Sequence, residues 1–248
     1  MKHYNNPFFL HFITLLCVYF TGFSQYVKRL DTKEGLINGT INVFEKDSLG
    51  YLWIGSDKGI NRFSGVEFKK YDLETITSSE STGIVDIINL NGTIYMISPN
   101  GYLIKYLYKF DSFEKVLHID KKRFLSIAKL QDDKIVIGLD TGLLIYNTTS
   151  KKKSEIFYPE TNFNRKVLVK NNTVFSATGK GCFVYNYDTK TNKLIFSDRI
   201  LEKNYIINIA LDAKNRLWIG TEVGGLFIKD NNEIKPIVID EILKKTYA

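Results

Sequence analysis

One pattern of spacing recurs five times along this chain. Trp53, Tyr95, Val136, Phe175 and Trp218 follow one another at intervals of 42, 41, 39 and 43 residues, and a glycine stands six residues after each: Gly59, Gly101, Gly142, Gly181 and Gly224. Three residues before each anchor comes a turn position, Gly50, Gly92, Asp133, Asn172 or Asn215. A fixed offset kept over five copies marks a repeat architecture. A period near 40 residues, with strand-rich rather than helical patterning, predicts an all-β fold: a β-propeller of four-stranded antiparallel blades.

Each copy is expected to run strand, tight turn, strand, loop, strand, turn, strand. The first strands are dense apolar runs such as Ile84-Val-Asp-Ile-Ile and Ile206-Ile-Asn-Ile-Ala-Leu, suited to strands covered on both faces. Asn91-Gly92 is a hairpin signal of the type that needs positive φ at both central residues. A small residue two positions after the anchor, as in Gly55, Gly138, Ala177 and Gly220, lets a neighbouring sheet approach closely. Because the slot of Trp53 and Trp218 is filled by Val136 in another copy, the tryptophans are expected to pack between blades rather than to stack on a ligand. The predicted blades cover 36–72, 81–117, 123–158, 164–198 and 204–239.

The amino terminus carries a different signal. Lys2, an apolar stretch from Phe8 to Phe20 and the small residues Gly22 and Ser24 predict a secretory signal peptide over 1–24. The 13 residues of that stretch fall short of the roughly 20 needed to span a bilayer as a helix. Export places residues 25–248 in the periplasm or outside the cell. The mature chain keeps one cysteine, Cys182, and so has no internal disulfide. Its excess of positive charge comes from dispersed lysines, with Lys151 to Lys153 the one run of three lysines, which argues against nucleic acid as a partner. No later segment is long and apolar enough to cross a membrane.

The first copy, from Leu30 through Asp47-Ser-Leu-Gly50 and Leu52-Trp-Ile-Gly55 to Tyr71, resembles the opening blade of the two-component regulator propeller family. The fifth copy resembles it through Ile206 to Asp212 and Arg216-Leu-Trp-Ile-Gly220. The resemblance implies a periplasmic sensor region, commonly for carbohydrate-derived signals. In such proteins paired propellers and a further β-domain precede a membrane helix and a kinase or helix-turn-helix output. This chain shows none of that output machinery. Five anchors and an unassigned strand at Tyr26 to Asp31 predict an incomplete ring and an amino-terminal fragment. A self-contained five-bladed propeller is the competing reading.

The chemistry-bearing residues are few. His118 is the one histidine after residue 24, too little for a histidine metal cluster, and it is read as a solvated side chain. Asp47 and Asp212 are read as turn openers rather than calcium ligands, because the dense run of oxygen ligands is missing. No catalytic residue, cofactor or metal is expected, so the chain is read as non-enzymatic; a propeller lyase or glycosidase is the enzymatic alternative, and a secreted protein-binding scaffold is another. In a propeller, the loops entering the inner strands and those joining second to third strands share one face. They carry Asn38, Thr40, Asp57 and Lys58 in the first copy, Thr82 and Asn100 in the second, and Arg123 and Asp140 in the third. Arg165 and Lys180 follow in the fourth, Tyr205 and Glu222 in the fifth. A ring of amides, hydroxyls and charges predicts an oligosaccharide or other polar ligand, with Tyr205 placed to stack on a sugar.

Overall fold

The computed structural model describes residues 29–77, 83–158, 163–201, 204–231 and 233–237. Met1–Leu30 forms one unit and Asp31–Ala248 another, and the fold below belongs to the second. The expected signal peptide, Tyr26 to Lys28 of the extra strand, Thr82 and the segment after residue 237 lie outside the described residues. Residues 29–31 of the expected strand are not extended into a sheet.

The chain is all-β. The first sheet contains β1 (Ile41–Lys46), β2 (Leu52–Ser56), β3 (Gly59–Phe63) and β4 (Phe68–Tyr71), and the second β5 (Asp86–Leu90), β6 (Thr93–Ile97), β7 (Tyr102–Leu107) and β8 (Ser112–His118). The third has β9 (Phe124–Gln131), β10 (Lys134–Leu139), β11 (Gly142–Asn147) and β12 (Lys153–Phe157). The fourth has β13 (Asn164–Lys170), β14 (Thr173–Thr178), β15 (Gly181–Asn186) and β16 (Thr191–Ser197), and the fifth β17 (Ile206–Leu211), β18 (Leu217–Thr221), β19 (Leu226–Asp230) and β20 (Glu233–Pro236). Strands pair in sequence order within each sheet. Two short pieces had no sequence signal: α1 (Glu74–Thr77) and a 3₁₀ turn over Asp198–Leu201.

Core packing joins each sheet to the next. One cluster sets Trp53, Ile60 and Tyr71 of the first sheet against Ile94, Met96, Ile104 and Tyr106 of the second. Equivalent clusters join the second sheet to the third around Tyr95 and Ile137, and the third to the fourth around Val136 and Phe183. A last one joins the fourth to the fifth around Ala177, Cys182 and Ile219, with Phe175 against it. The first four anchors therefore lie in the seams between blades. Trp218 has a blade behind it and, among the described residues, none in front, and it stays half-buried. No pairing joins the fifth sheet to the first among the described residues.

The small residue beyond the anchor works as the spacing implies. A Cβ at Gly55 would stand 2.6 Å from Val43 and 2.8 Å from Ile84 of the next blade, whereas at Gly220, whose blade has no further blade beyond it among the described residues, the nearest atom is 3.7 Å away. The end blades also correct the expectation that all inner strands are covered on both faces: residues of β1 alternate half-buried and exposed, with Phe44 59% exposed.

The turns follow the backbone chemistry of their residues. Asn91 and Gly92 have φ of 51° and 84°, and Asn171 and Asn172 have 48° and 56°, the paired positive values of a type I′ hairpin. Asp47 opens a longer turn. Its Oδ1 accepts the Leu49 and Tyr51 amides at 2.9 Å, and its Oδ2 accepts the indole N–H of Trp53 at 2.8 Å and the Tyr108 hydroxyl of the next blade at 2.9 Å. Asp212 holds Trp218 in the same way at 3.0 Å, with the Arg216 Nε at 2.7 Å beside it. Turn and anchor are thus one hydrogen-bonded unit.

At the corner opening the third strand, Gly59, Gly101, Gly142 and Gly181 have positive φ. The fifth copy departs from the pattern: Gly224 does not, and Gly225, with φ 83°, takes its place. The Thr221 hydroxyl donates to the Gly225 carbonyl at 2.9 Å, as Ser56 does to Gly59 at 3.1 Å and Thr178 to Gly181 at 2.8 Å. One residue has been inserted in that loop, and the hydroxyl three positions after the anchor marks the true corner.

Candidate functional site

Register fixes the face that gathers the loops. Each inner strand begins beside the end of its second strand, as in Ile41 opposite Ser56 and Asp86 opposite Ile97, so the loop into the first strand and the loop out of the second lie at the same end of every sheet. The candidate residues divide there into three groups.

At the first blade, the Thr40 amide donates to Asn38 Oδ1 at 2.8 Å and the Asp57 amide to the Thr40 carbonyl at 3.4 Å. Asn42 donates to Asp57 Oδ1 at 2.9 Å and to the Ile84 carbonyl at 3.1 Å, tying the group to the second blade. Asn38, Thr40 and Asp57 thus meet, and Lys58 beside them is exposed.

At the second and third blades, Asn100 and Arg123 line one hollow together with Tyr102 and His118, and Arg123 faces Asp140 across 3.9 Å. At the fourth and fifth, the Arg165 guanidinium lies 4.7 Å from the ring centre of Phe163, and that ring meets Tyr205 edge-on at 5.6 Å. The Glu222 amide donates to the Tyr205 carbonyl at 2.9 Å, and Tyr205 is 43% exposed. Lys180 stands apart, its amide capped by Thr178 Oγ1 at 3.2 Å. Thr82 lies outside the described residues.

Sequence reasoning missed Phe163, at the end of the loop leading into β13 and two positions before Arg165 on that strand. It also missed a polar chain along the inner strands. Asp86 is 6% exposed. Its Oδ2 accepts Ser126 Oγ at 2.8 Å, the Ile127 amide at 3.0 Å and Lys166 Nζ at 3.1 Å. Ser126 Oγ in turn accepts the Val167 amide at 3.2 Å. This satisfies a buried carboxylate that would otherwise be costly. Glu45 lines the same inner hollow; burial raises its carboxyl pKa, a backbone hydrogen bond from Asn89 opposes this, and the charge of Asp86 adds to the rise. The signal was present as a single acid inside the apolar run Ile84-Val-Asp-Ile-Ile.

Five four-stranded antiparallel blades in sequence order, packed face to face through their anchors, define a β-propeller whose ring is not closed by hydrogen bonds among the described residues. Residues 200–223, leading into and through the anchor strand of the fifth blade, match the Two component regulator propeller family. No curated protein matches the chain in sequence. Among solved structures it is similar to the extracellular domain of BT3049 of B. thetaiotaomicron, described as a hybrid two component system. That similarity has 21% identity and a TM-score of 0.51, over 85% of this chain and 36% of the other. The extracellular domain of BT4673 from the same organism, described likewise, gives 20% identity and a TM-score of 0.56 over 80% and 33%. PorZ, a surface component of the type-IX secretion system of Porphyromonas gingivalis, gives 14% identity and a TM-score of 0.61 over 82% and 34%. The chain spans about a third of the length of each of these structures. At such identities the likeness establishes the fold. No helix among the described residues is long and apolar enough to cross a membrane.

Proposed function

We propose that this chain is the ligand-sensing propeller of an extracytoplasmic two-component-type regulator, binding a polar, carbohydrate-like ligand on its loop face and performing no chemical step itself. The observation that carries the reading is the Arg165, Phe163 and Tyr205 group: an exposed aromatic edge held by a second ring and a cation, beside the polar loops of the fifth blade. Aromatic faces bind sugars through their C–H surfaces, while neighbouring amides and charges orient the hydroxyls. The regulator-type fifth blade and the extracellular domains among the structural neighbours support the sensing role. The signal-peptide pattern at 1–24 supports export. Periplasmic fractionation followed by amino-terminal sequencing tests it, with Gln25 as the expected first residue.

Titrating the full chain with neutral oligosaccharides by calorimetry tests the site. Tyr205→Ala should weaken binding about fivefold, the worth of one aromatic contact near 1 kcal/mol. Unchanged affinity would remove this group as the site. The alternative, a protein-binding scaffold, draws on the exposed Phe44 of the first blade and on the likeness to PorZ; absence of binding across the whole glycan panel would favour it.

A further inference from the structure

Between the second and third blades the loop face is concave and carries Lys121, Lys122 and Arg123 beside Asp120. The hollow, of about 360 Å³, is framed by two segments locked against each other. The Ile119 amide donates to the Gly101 carbonyl at 3.1 Å, and the Lys122 amide to the Ile119 carbonyl at 3.3 Å. Gly101, with φ 80°, permits this: a Cβ there would stand 2.4 Å from the Ile119 carbonyl oxygen and 2.7 Å from that of Lys122. On one wall the rings of Tyr102 and His118 stack at 4.0 Å and 11°. Tyr102 is buried and His118 is exposed above it, so the imidazole is oriented by a fixed platform.

The turn bringing the cations here is strained in a telling place. Lys121 adopts φ 58°, a conformation that side chains other than Asn, Asp and Gly seldom take, and it is exposed. Among the described residues it has no ion pair or side-chain hydrogen bond. Lys122 is held by Glu155 at 3.1 Å. Arg123 meets Asp140 only at 3.9 Å, with its side chain 64% exposed, which leaves most of its five N–H donors open. Exposed Asp120 lines the same hollow. Lys122 and Arg123 are thus each paired with an acid and Asp120 lies alongside, so that among the described residues Lys121 is the cation of the hollow without an ion pair, beside a ring-stacked imidazole.

We propose that this cleft is an oxyanion subsite, taking the carboxylate, sulfate or phosphate-ester group of a small polar ligand bound on the loop face. Lys121 supplies a point charge, Arg123 a planar fork suited to a two-oxygen contact, and His118 a ring N–H. The inference rests on the reading of this face as the binding face and narrows its ligand to an acidic one.

The test is calorimetric titration of the full chain with sodium sulfate, sodium glucuronate and glucose 6-phosphate at constant ionic strength. Methyl glucoside is the neutral control, and the His118 ring resonances are followed in parallel. Saturable binding of at least one oxyanion that moves the His118 resonances is expected, with affinity reduced about tenfold or more in the Lys121→Gln, Arg123→Gln double variant, as for lost charge-assisted hydrogen bonds. Lys214→Gln, exposed on the turn between β17 and β18 at the opposite end of its sheet, should bind as the wild type does. The tightest of the three anions identifies the group recognised. Shifts that do not saturate, or an affinity unchanged in the double variant, would overturn the proposal. Tyr205-dependent binding of neutral glycans together with failure of all three anions would remove the anion cleft alone. Saturable oxyanion binding without any glycan binding would keep the cleft and remove the sugar reading.

Discussion

Trp53 and Trp218 occupy the same slot of the same repeat, share the same aspartate-opened turn, and differ in what lies in front of them. Replacing each by alanine isolates the energy of a blade seam. Trp53 is fully buried, with Tyr106 at 4.5 Å, Tyr71 at 5.9 Å and Phe113 at 6.3 Å between ring centres. Trp53→Ala empties that space, at a cost of about 3–5 kcal/mol, and deletes the indole bond to Asp47, worth about 1 kcal/mol. Trp218 is half-buried, so Trp218→Ala should lose roughly half the transfer and cavity terms, about 2 kcal/mol, and the indole bond to Asp212, about 1 kcal/mol. In a domain of this size each kcal/mol lowers the melting temperature by about 2–4 °C. Thermal unfolding followed by circular dichroism should therefore show a drop of about 8–24 °C for Trp53→Ala and about 6–12 °C for Trp218→Ala. Trp53→Phe should recover most of the loss. Equal drops for the two alanine variants would refute the reasoning, since they would mean that Trp218 is covered as Trp53 is.

Three further outcomes follow from single sites. A Cβ at Gly142 would lie 1.9 Å from the Ile156 carbonyl oxygen at φ 148°, whereas at Gly65, φ 98°, nothing lies within 4 Å; Gly142→Ala should fold poorly and Gly65→Ala should lose only about 1–2 kcal/mol in urea unfolding. Asp111 accepts the Tyr71 hydroxyl at 2.6 Å as well as Tyr106 and Lys69, with Arg62 at 3.5 Å. Burial alone would raise its pKa, but those hydrogen bonds together outweigh it and hold the carboxyl below the usual carboxylate range. Its folded pKa being the lower one, the stability gap between wild type and Asp111→Asn should be flat above about pH 4 and shrink as pH falls further; a gap that persists undiminished at pH 2.5 would contradict this. Cys182 is buried, and burial pushes its thiol up to about 12, so at pH 8 a disulfide reagent should label it only as fast as the fold opens. Rapid stoichiometric labelling of the native chain would contradict the burial.

The legible part of the fold was the part written locally. Asn91-Gly92, Trp53 and Gly55 each state a backbone or packing requirement within a few residues of themselves, and the repeat multiplies the statement. Gly224 shows the limit: spacing alone chose it, while the hydrogen bond from Thr221 places the corner at Gly225. At the candidate site, Arg165 and Tyr205 were visible as exposed loop residues, but Phe163 between them was not, because apolar residues in loops carry no periodic signal. Asp86 and Lys166 lie 80 residues apart on strands of different blades. Only the curvature of the sheet stack brings them together, and no local window holds both.

That pair also bears on how this chain comes apart. In a stack of repeats touching only their neighbours, opening one unit leaves units two steps away indifferent, and stability is a sum over adjacent contacts. The bond from Lys166 to Asp86 skips the third blade, while Ser126 of that blade grips both partners' strands. Blades two, three and four are therefore coupled beyond nearest neighbours and should exchange their amide hydrogens as one cooperative block, with the first and fifth blades opening earlier.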